Sequence, residues 1–167
     1  EICIYDDSST DENTIERIKY WAKSNNKVNA TFGKTNKHIS KASNEAIKSA
    51  TGNYIVLVDH DDLIEANALY ENAKEIVKNP DAILFYSDEC KLDSQGNRHG
   101  PYFKRAYDEV LLHSNNYITH LAVIKKTAGD KINWFRSKYD GAQDHDLFLR
   151  LAQLKKPIIH IPKILYT

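Results

Sequence analysis

The chain has 167 residues, of which 41% are hydrophobic and 28% are charged, and its 23 basic and 23 acidic side chains balance to a formal net charge of zero. This length and composition predict one globular domain with a buried core. The balanced charge provides no basic field for a nucleic-acid backbone, so a nucleic-acid partner is not expected.

The chain opens with a short apolar strand that ends in two carboxylates. Residues 2–5 predict the strand, and Asp6 and Asp7 follow it directly. Ser9 and Glu12 then have the spacing of a capping box at the start of a helix. The two aspartates either assist that helix N-terminus electrostatically or lie at the sheet edge, where they would hydrogen-bond the base or ribose of a ligand.

A second strand and a second helix follow in the same order. Residues 28–32 predict the strand, and after a polar loop apolar residues recur at helical spacing from Ile39 to Ala50. Gly52 is expected to end this helix in the left-handed conformation. Asn44 lies on the helix, where a surface or capping role is the simplest interpretation.

The strongest pattern is an apolar run that stops abruptly in carboxylates. Residues 54–58 predict a strand buried on both faces, and Asp59, Asp61 and Asp62 follow it. Ligands of open α/β sheets bind at such an edge. Because crowded carboxylates repel one another, a cation would relieve the repulsion, and oxygen ligands suit Mg²⁺ or Mn²⁺. The alternative is a solvated acidic turn that caps the next helix.

The alternation of helix and strand continues beyond this turn. A helix over residues 65–78 precedes a strand over 82–87, which again ends in acid at Asp88 and Glu89. Elements alternating at this spacing predict parallel βαβ units. Residues 93–117 have no clear period and are expected to form a long functional loop. Further strands are predicted over residues 121–125 and 158–161.

The last chemical feature is the start of a helix near residue 144. Its apolar face places Asp144 in or near the first turn, where a partly buried carboxylate can act as a base near neutral pH. The alternative is that Asp144 only caps the helix. Asp146 is expected to pair with Arg150, four residues further on.

The two cysteines and the hydropathy bear on location. Cys3 and Cys90 form neither a disulfide framework nor a zinc site, which indicates a reducing compartment. No apolar run reaches the length of a membrane span, and no signal peptide opens the chain. Because the chain begins inside a strand-like segment, we expect it to be part of a longer protein, which leaves membrane association through other parts open.

A two-component receiver domain is one interpretation of the acidic strand ends. It would use an acidic pair, a phosphoacceptor, a hydroxyl and a lysine, here Asp6 with Asp7, Asp59, Ser87 and Lys104. This interpretation gives no role to Asp61, Asp62 or residues 143–150. The chain is also longer than a receiver domain.

A second interpretation gives a role to all the acidic sites. It rests on several segments that, in order, resemble the nucleotide-sugar-binding domain of family 2 glycosyltransferases. The segments are DHDDL at 59–63, YSDE at 86–89, PYFK at 101–104, NYI at 116–118, HL at 120–121 and DGAQDHDL at 140–147. The likeness is to a bacterial branch that makes polysaccharides such as rhamnan. Each segment alone is a weak signal, but their joint order across the chain is specific.

The resemblance implies an α/β fold of the GT-A type, a Rossmann-like three-layer α/β/α arrangement with a mixed, mainly parallel sheet. Members of the family begin with an earlier strand beside residues 2–5, so we expect this chain to be truncated before that strand. The resemblance implies one catalytic domain over residues 1–167. Its nucleotide-binding half would cover residues 1–92, and its acceptor and catalytic-base half residues 93–167.

The implied function is inverting transfer of a sugar from a nucleoside-diphosphate sugar to a hydroxyl in surface polysaccharide or glycan synthesis. The donor would be a UDP- or dTDP-sugar, and the acceptor a saccharide or lipid-linked saccharide. Mn²⁺ or Mg²⁺ would stabilise the leaving diphosphate. The expected location is cytoplasmic, with the inner face of the membrane as one option. A nucleotide-sugar-binding fragment without activity is the alternative.

The resemblance also implies roles for individual residues. Asp144 would be the catalytic base, Asp59 and Asp61 would hold the metal, and Asp59 would also bind the nucleotide. The further expected nucleotide contacts are Asp6, Asp7 and Asn44, and the expected acceptor-side residues are Asp88, Glu89 and His120. From the residues alone, His60 and His120 are expected to be packed, hydrogen-bonded histidines.

Overall fold

The computed structural model describes residues 1–167 and contains seven strands, six α-helices and a 3₁₀ helix at Ser137–Tyr139. In chain order the elements are β1 (Ile2–Asp6), α1 (Glu12–Ser24), β2 (Val28–Phe32), α2 (His38–Ser49), β3 (Tyr54–Leu57), α3 (Ala68–Lys78), β4 (Leu84–Leu92), β5 (Arg98–Tyr102), α4 (Glu109–Ser114), β6 (Ala122–Lys125), α5 (Lys126–Lys131), α6 (Gln143–Ala152) and β7 (Ile158–Tyr166). None of the helices combines the length and the apolar character that crossing a bilayer requires.

The strands form two sheets. β1 and β2 pair in parallel by themselves. In the five-stranded sheet, β4 pairs with β7 along one edge and with β6 and then β5 along the other, while β3 lies beyond β6. Strands β3, β4 and β7 run in one direction, whereas β5 and β6 run in the opposite direction. The sheet therefore combines strands from both sides of residue 92.

Side chains of the main sheet alternate between two apolar clusters, because neighbouring residues of a strand point to opposite faces. Leu84 and Tyr86 belong to a cluster of 18 buried residues, and Phe85 belongs to a cluster of eight. The larger cluster includes residues of α2, α4 and α6, whereas the smaller one includes Ala68 of α3. The helices thus cover both faces, which is the three-layer arrangement that the resemblance implied.

Strand β3 is less buried than its sequence predicts. It pairs only with β6, and Ile55, with 8% exposure, is its one buried residue. Both faces nevertheless pack on apolar clusters, Ile55 and Leu57 on the larger and Tyr54 and Val56 on the smaller. The predicted burial on both faces is therefore confirmed only in part, since three of the four side chains stay partly exposed. Strand β1 likewise pairs only with β2.

Two predicted helix caps differ from those in the structure. Asp11, not Ser9, caps α1, since its Oδ2 accepts a hydrogen bond from Thr14 N at 3.0 Å. Gly52 is not in the left-handed conformation, and α2 ends at Ser49. Glu1 Oε1 instead accepts hydrogen bonds from the backbone N–H groups that follow the helix, at Thr51 (2.7 Å) and Gly52 (3.0 Å).

The segment over residues 93–117 is more regular than predicted. It contains β5, which returns antiparallel along β4, and the short helix α4. Asp108 caps α4 by accepting a hydrogen bond from Leu111 N at 3.0 Å. A five-residue strand and a six-residue helix are too short to show a clear hydrophobic period, which explains why the sequence pattern missed them.

Candidate active site

The residues after β3 form a turn, not an extended tip. Asp62 N donates a hydrogen bond to Asp59 O at 3.4 Å, and this bond brings residues three positions apart to the same side. As a result, Asp59 and Asp62 meet His120, and the potential ligand atoms of the three side chains all lie within 4.8 Å of one another. We call these three residues the turn cluster.

Asp61, one of the two predicted metal ligands, does not belong to the turn cluster. Its side chain is 74% exposed, and His60 Nδ1 lies 3.7 Å from Asp61 Oδ1. The D-x-D spacing assumed an extended backbone, in which Asp59 and Asp61 point the same way. The turn pairs Asp59 with Asp62 instead, so metal binding by Asp61 stays a prediction that the geometry does not favour.

The end of β7 holds the acidic turn in place. Leu63 N donates to Thr167 O at 2.7 Å, and Thr167 N donates to Leu63 O at 2.9 Å. Tyr166 OH accepts a hydrogen bond from Asp59 N at 3.0 Å. Burial raises the pKa of Tyr166, the hydrogen bond from Asp59 N–H opposes this rise, and the Asp62 carboxylate adds to it. The phenol therefore stays protonated and is a supporting residue that the sequence analysis missed.

His120 packs on the same tyrosine. The two rings are stacked with their centroids 4.8 Å apart and their planes inclined by 14°. Nε2 of His120 lies 3.5 Å from Asp59 Oδ2, while Nδ1 is buried without a hydrogen-bond partner in the protein. The expectation of a packed histidine thus holds for His120, but its ring faces the carboxylates without the expected hydrogen bond. For His60 the expectation is wrong, because its side chain is 97% exposed.

Asp144 occupies the first turn of α6, as predicted. Burial raises its pKa, the His120 ring lowers it, the Asp59 carboxylate raises it and the Gln143 amide lowers it, in decreasing order of effect. Gln143 Nε2 donates to Asp144 Oδ2 at 3.2 Å. A carboxyl with a raised pKa beside a charged cluster is a candidate for proton transfer. The base role itself stays a prediction.

The first acidic pair is engaged in backbone hydrogen bonds. Asp6 is buried and accepts from Ser9 N at 3.1 Å. Asp7 accepts from Lys37 N at 2.7 Å through Oδ1 and from His38 N at 2.9 Å through Oδ2. Asp7 thus assists the N-terminus of α2, not that of α1. Nucleotide contacts by Asp6 and Asp7 stay predictions.

Asn44 uses both ends of its amide on one backbone segment. Its Nδ2 donates to Phe135 O at 2.9 Å, and its Oδ1 accepts from Phe135 N at 3.1 Å. These bonds connect α2 to the segment before α6. The structure does not bring Asn44 into the turn cluster, and a nucleotide contact by this residue stays a prediction.

The predicted acceptor residues on β4 are bonded internally. Asp88 is only 3% exposed, and its Oδ1 accepts from Lys104 N at 2.9 Å and lies 2.7 Å from His160 Nε2. Glu89 is partly exposed, and its Oε2 is 2.9 Å from Lys104 Nζ. This burial argues against direct contact between Asp88 and an acceptor, while the acceptor-side assignment of Glu89 and His120 stays a prediction.

Asp146 forms the ion pair that the sequence predicts. Its Oδ2 accepts from Arg150 Nε at 2.9 Å and from Arg136 Nε at 3.1 Å. These bonds hold the pKa of Asp146 below its ordinary value, although burial opposes them. The carboxylate is structural, as expected for an i,i+4 pair.

The hydroxyl and lysine that a receiver domain would need are engaged elsewhere. Ser87 is buried, and its Oγ donates to Asp88 O at 3.1 Å. Lys104 Nζ donates to Ile118 O at 2.7 Å. Neither group is free beside Asp59, which argues against the receiver interpretation.

Comparison with known proteins assigns the chain. The family model described as glycosyl transferase family 2 matches residues 1–132. The chain belongs to glycosyl transferase family 2. The glycosyltransferase domain is 38% identical over 169 residues to the uncharacterized protein y4gI of Sinorhizobium fredii. It is 30% identical over 166 residues to the O-antigen biosynthesis protein RfbC of Myxococcus xanthus. The alignments cover 100% and 99% of this chain but only 19% and 13% of those two proteins.

Solved structures share the fold of this glycosyltransferase domain. S. aureus TarS 1–349 in complex with UDP aligns with a TM-score of 0.78 at 19% identity, over 99% of this chain and 50% of TarS. The mannosyltransferase PcManGT from Pyrobaculum calidifontis, in complex with GDP-Man and Mn²⁺, aligns with a TM-score of 0.70 at 18% identity, over 99% of this chain and 46% of PcManGT. The predicted GT-A fold is confirmed.

Proposed function

We propose that this domain transfers a sugar from a nucleoside-diphosphate sugar to a hydroxyl of a saccharide or lipid-linked saccharide, with inversion at the anomeric carbon. The observation that carries the proposal is the convergence of Asp59, Asp62 and His120 within 4.8 Å, next to a carboxyl of raised pKa at Asp144. The turn cluster can hold a metal ion at the leaving diphosphate, and the separate Asp144 carboxyl can take the proton of the acceptor hydroxyl.

The turn cluster fits a divalent cation. Two carboxylates offer the oxygen ligands that Mg²⁺ and Mn²⁺ prefer, and the imidazole nitrogen of His120 favours Mn²⁺, since Mg²⁺ is bound mainly by oxygen. The Asp59 side chain is 55% exposed, so a diphosphate can approach the cluster. When bound there, the ion supplies Lewis-acid stabilisation of the charge that develops on the departing diphosphate.

Asp144 would take the proton from the acceptor hydroxyl. The acceptor oxygen forms its bond to the anomeric carbon while the bond from that carbon to the diphosphate oxygen breaks, and the proton moves to the Asp144 carboxylate. The His120 ring and the Gln143 amide both favour the ionised form of Asp144 that this step requires. A direct displacement needs no covalent nucleophile and inverts the configuration.

The donor and acceptor classes rest on the relatives. TarS, PcManGT and GalNAc-T7 were solved with UDP, UDP-GlcNAc or GDP-Man, which supports a nucleotide-sugar donor for this fold. The likeness to an O-antigen biosynthesis protein and to chondroitin synthase of Escherichia coli supports an acceptor in polysaccharide synthesis. A UDP- or dTDP-sugar donor, base contacts at Asp6 and Asp7, the division of nucleotide and acceptor halves at residue 92, and a cytoplasmic location belong to this proposal.

A thermal-shift panel of UDP, dTDP and GDP, each with and without Mn²⁺, tests the proposed site. We expect one diphosphate to raise the melting temperature in a Mn²⁺-dependent way, because a ligand that binds only the folded state stabilises it. The Mn²⁺-dependent part should disappear in Asp62→Asn and in His120→Ala and persist in Asp61→Asn.

The control is His113→Ala, which alters an exposed histidine of α4 and should leave the panel unchanged. A panel without any stabilisation of the wild-type protein would contradict donor binding. Loss of the Mn²⁺ effect in Asp61→Asn but not in Asp62→Asn would restore the Asp59 and Asp61 pair that the sequence predicts.

A further inference from the structure

We propose that the buried ion pair between Lys104 and Glu89 is a positioning device that holds the backbone of His120 so that its ring faces Asp59 and Asp62. Its consequence for metal binding rests on the proposed function, whereas its effect on the orientation of His120 does not. The proposal assigns a role to the lysine of the PYFK segment, which the transferase chemistry described above leaves without one.

Lys104 is completely buried and uses every hydrogen that it can donate. Its side chain is 0% exposed. Its Nζ donates to Glu89 Oε2 at 2.9 Å, to Ile118 O at 2.7 Å and to His120 O. A lysine ammonium has three donors, so none remains for a ligand. Lys104 is therefore a bridge between β4 and the segment that leads to β6.

Glu89 completes the hold on the same segment. Its Oε2 accepts hydrogen bonds from Thr119 Oγ1 at 2.8 Å and from His120 N at 3.3 Å. Lys104 therefore binds the carbonyl group of His120, and Glu89 binds its N–H group. Both polar groups of the His120 backbone are connected to one ion pair.

The ring of His120 depends on this backbone hold. No protein group hydrogen-bonds Nδ1, so the ring is oriented by the backbone, by stacking on Tyr166 and by the Asp59 carboxylate, whose Oδ2 lies 3.5 Å from Nε2. Metal-binding histidines commonly have their second ring nitrogen held by a hydrogen bond. In this chain the ion pair and the stack would replace that bond.

Stability alone gives a weak reason for this ion pair. Removing two charges from water costs free energy that their mutual attraction often fails to repay, and burial accordingly lowers the pKa of Lys104 while the charges of Glu89 and Asp88 raise it. An apolar pair would fill the same space. The ion pair differs from an apolar pair because it can hold two opposite backbone groups of one residue.

Lys104→Met tests the proposal, with Lys155→Met as the matched control. Methionine keeps most of the side-chain volume but removes the ammonium group. Lys155 also pairs with a glutamate, at 2.7 Å from Glu109 Oε1, but this pair is exposed and lies outside the candidate site. Two measurements apply to each variant: Mn²⁺ affinity from the electron paramagnetic resonance signal of free Mn²⁺, and the ring ¹H and ¹³C NMR signals of His120.

We expect Lys104→Met to weaken Mn²⁺ binding by about 10- to 100-fold, the usual effect of losing a supporting residue of a metal ligand. The His120 ring signals, assigned with His120→Ala, should lose the ring-current shift that stacking on Tyr166 causes. In the His120→Ala background, Lys104→Met should change Mn²⁺ affinity by no more than about twofold, since it acts through His120. Lys155→Met should change neither measurement.

Unchanged His120 ring signals in a folded Lys104→Met variant would overturn the proposal, whatever the metal measurement shows. If the wild-type protein binds no Mn²⁺ but Lys104→Met shifts the His120 signals, the metal site fails and the positioning role stands. If Lys104→Met does not fold by circular dichroism, Glu89→Gln and Thr119→Val replace it, because each weakens the same hold without removing the ammonium group. Unchanged His120 signals in both would also overturn the proposal.

Discussion

At the scale of single residues, Asp144 lies between opposing charges. Burial and Asp59 raise its pKa, and His120 and Gln143 lower it. A base must be deprotonated to act, so activity that depends on Asp144 is lost as the pH falls through this raised pKa. The acid limb of the pH–rate profile should therefore lie above the pH at which an ordinary aspartate titrates.

Asp144→Asn should separate binding from chemistry. We expect the release of nucleoside diphosphate from a donor sugar to fall by about 10²- to 10⁴-fold, since a positioned base contributes this much. Mn²⁺-dependent stabilisation by the diphosphate should remain, because the asparagine keeps the shape of the site. The acid limb should disappear from the residual rate.

The control for this substitution is Asp140→Asn, which alters an exposed carboxylate four residues earlier. A fully active Asp144→Asn variant would exclude Asp144 as the base. The wild-type protein could also bind the diphosphate and yet cleave no nucleoside-diphosphate sugar. That result would favour the alternative of a nucleotide-sugar-binding domain without activity.

At the scale of elements, helix α6 has two acidic residues with different roles. Asp144 faces the charged groups of the turn cluster, while Asp146 is held by two arginines. Arg150 also donates to the backbone carbonyls of Ile132 at 2.7 Å and Trp134 at 2.5 Å. Asp146 thus connects α6 to the segment that precedes it, and this connection fixes the first turn of the helix.

Asp146→Asn should lower the free energy of unfolding by about 3 kcal/mol, since it leaves the charge of a largely buried arginine without its partner. The folded pKa of Asp146 is depressed, so its contribution is complete above the ordinary aspartate pKa and is lost as the pH falls through the folded value. Urea unfolding at pH 7 and at pH 3 measures both effects. The difference between wild type and variant should be smaller at pH 3.

Glu109→Gln is the control for this comparison. It removes an exposed ion pair to Lys155, for which we expect a loss of no more than about 1 kcal/mol. Equal losses in the two variants would show that the arginine contacts of Asp146 contribute no more than a surface pair.

At the scale of the whole molecule, the main sheet and its larger cluster join the two predicted halves. β4 lies before residue 93, and its neighbours β5, β6 and β7 lie after it. The cluster of 18 residues combines Ile47 and Ile55 with Phe148 and Leu151. We therefore expect the chain to unfold as a unit.

Phe148→Ala tests this cooperativity. Removing a fully buried phenylalanine should cost about 3–5 kcal/mol and lower the single melting transition of the whole chain. Val110→Ala, at a side chain exposed on α4, should stay within about 0.5 kcal/mol of wild type. Calorimetry with two separate transitions, of which only one responds to Phe148→Ala, would contradict a shared core.

The sequence alone determined the order of most elements and the chemical class of the site. Apolar runs that end in carboxylates predicted β1, β3 and β4, and the helical period predicted α6 with Asp144 in its first turn. These features depend on residues close together in the chain, where hydrophobic period and capping chemistry are readable. The short elements β5, α4 and α5 left too few residues for a period to show.

Only the tertiary structure decided which side chains meet. The hydrogen bond from Asp62 N to Asp59 O placed Asp62 in the cluster instead of Asp61. Tyr166 supports Asp59 across 107 residues, and Glu89 holds His120 across 31. Such partners have no fixed spacing along the sequence, because strand register and loop conformation determine which residues meet. The sequence could name the carboxylates at the strand ends, but the folded sheet determined which of them face His120.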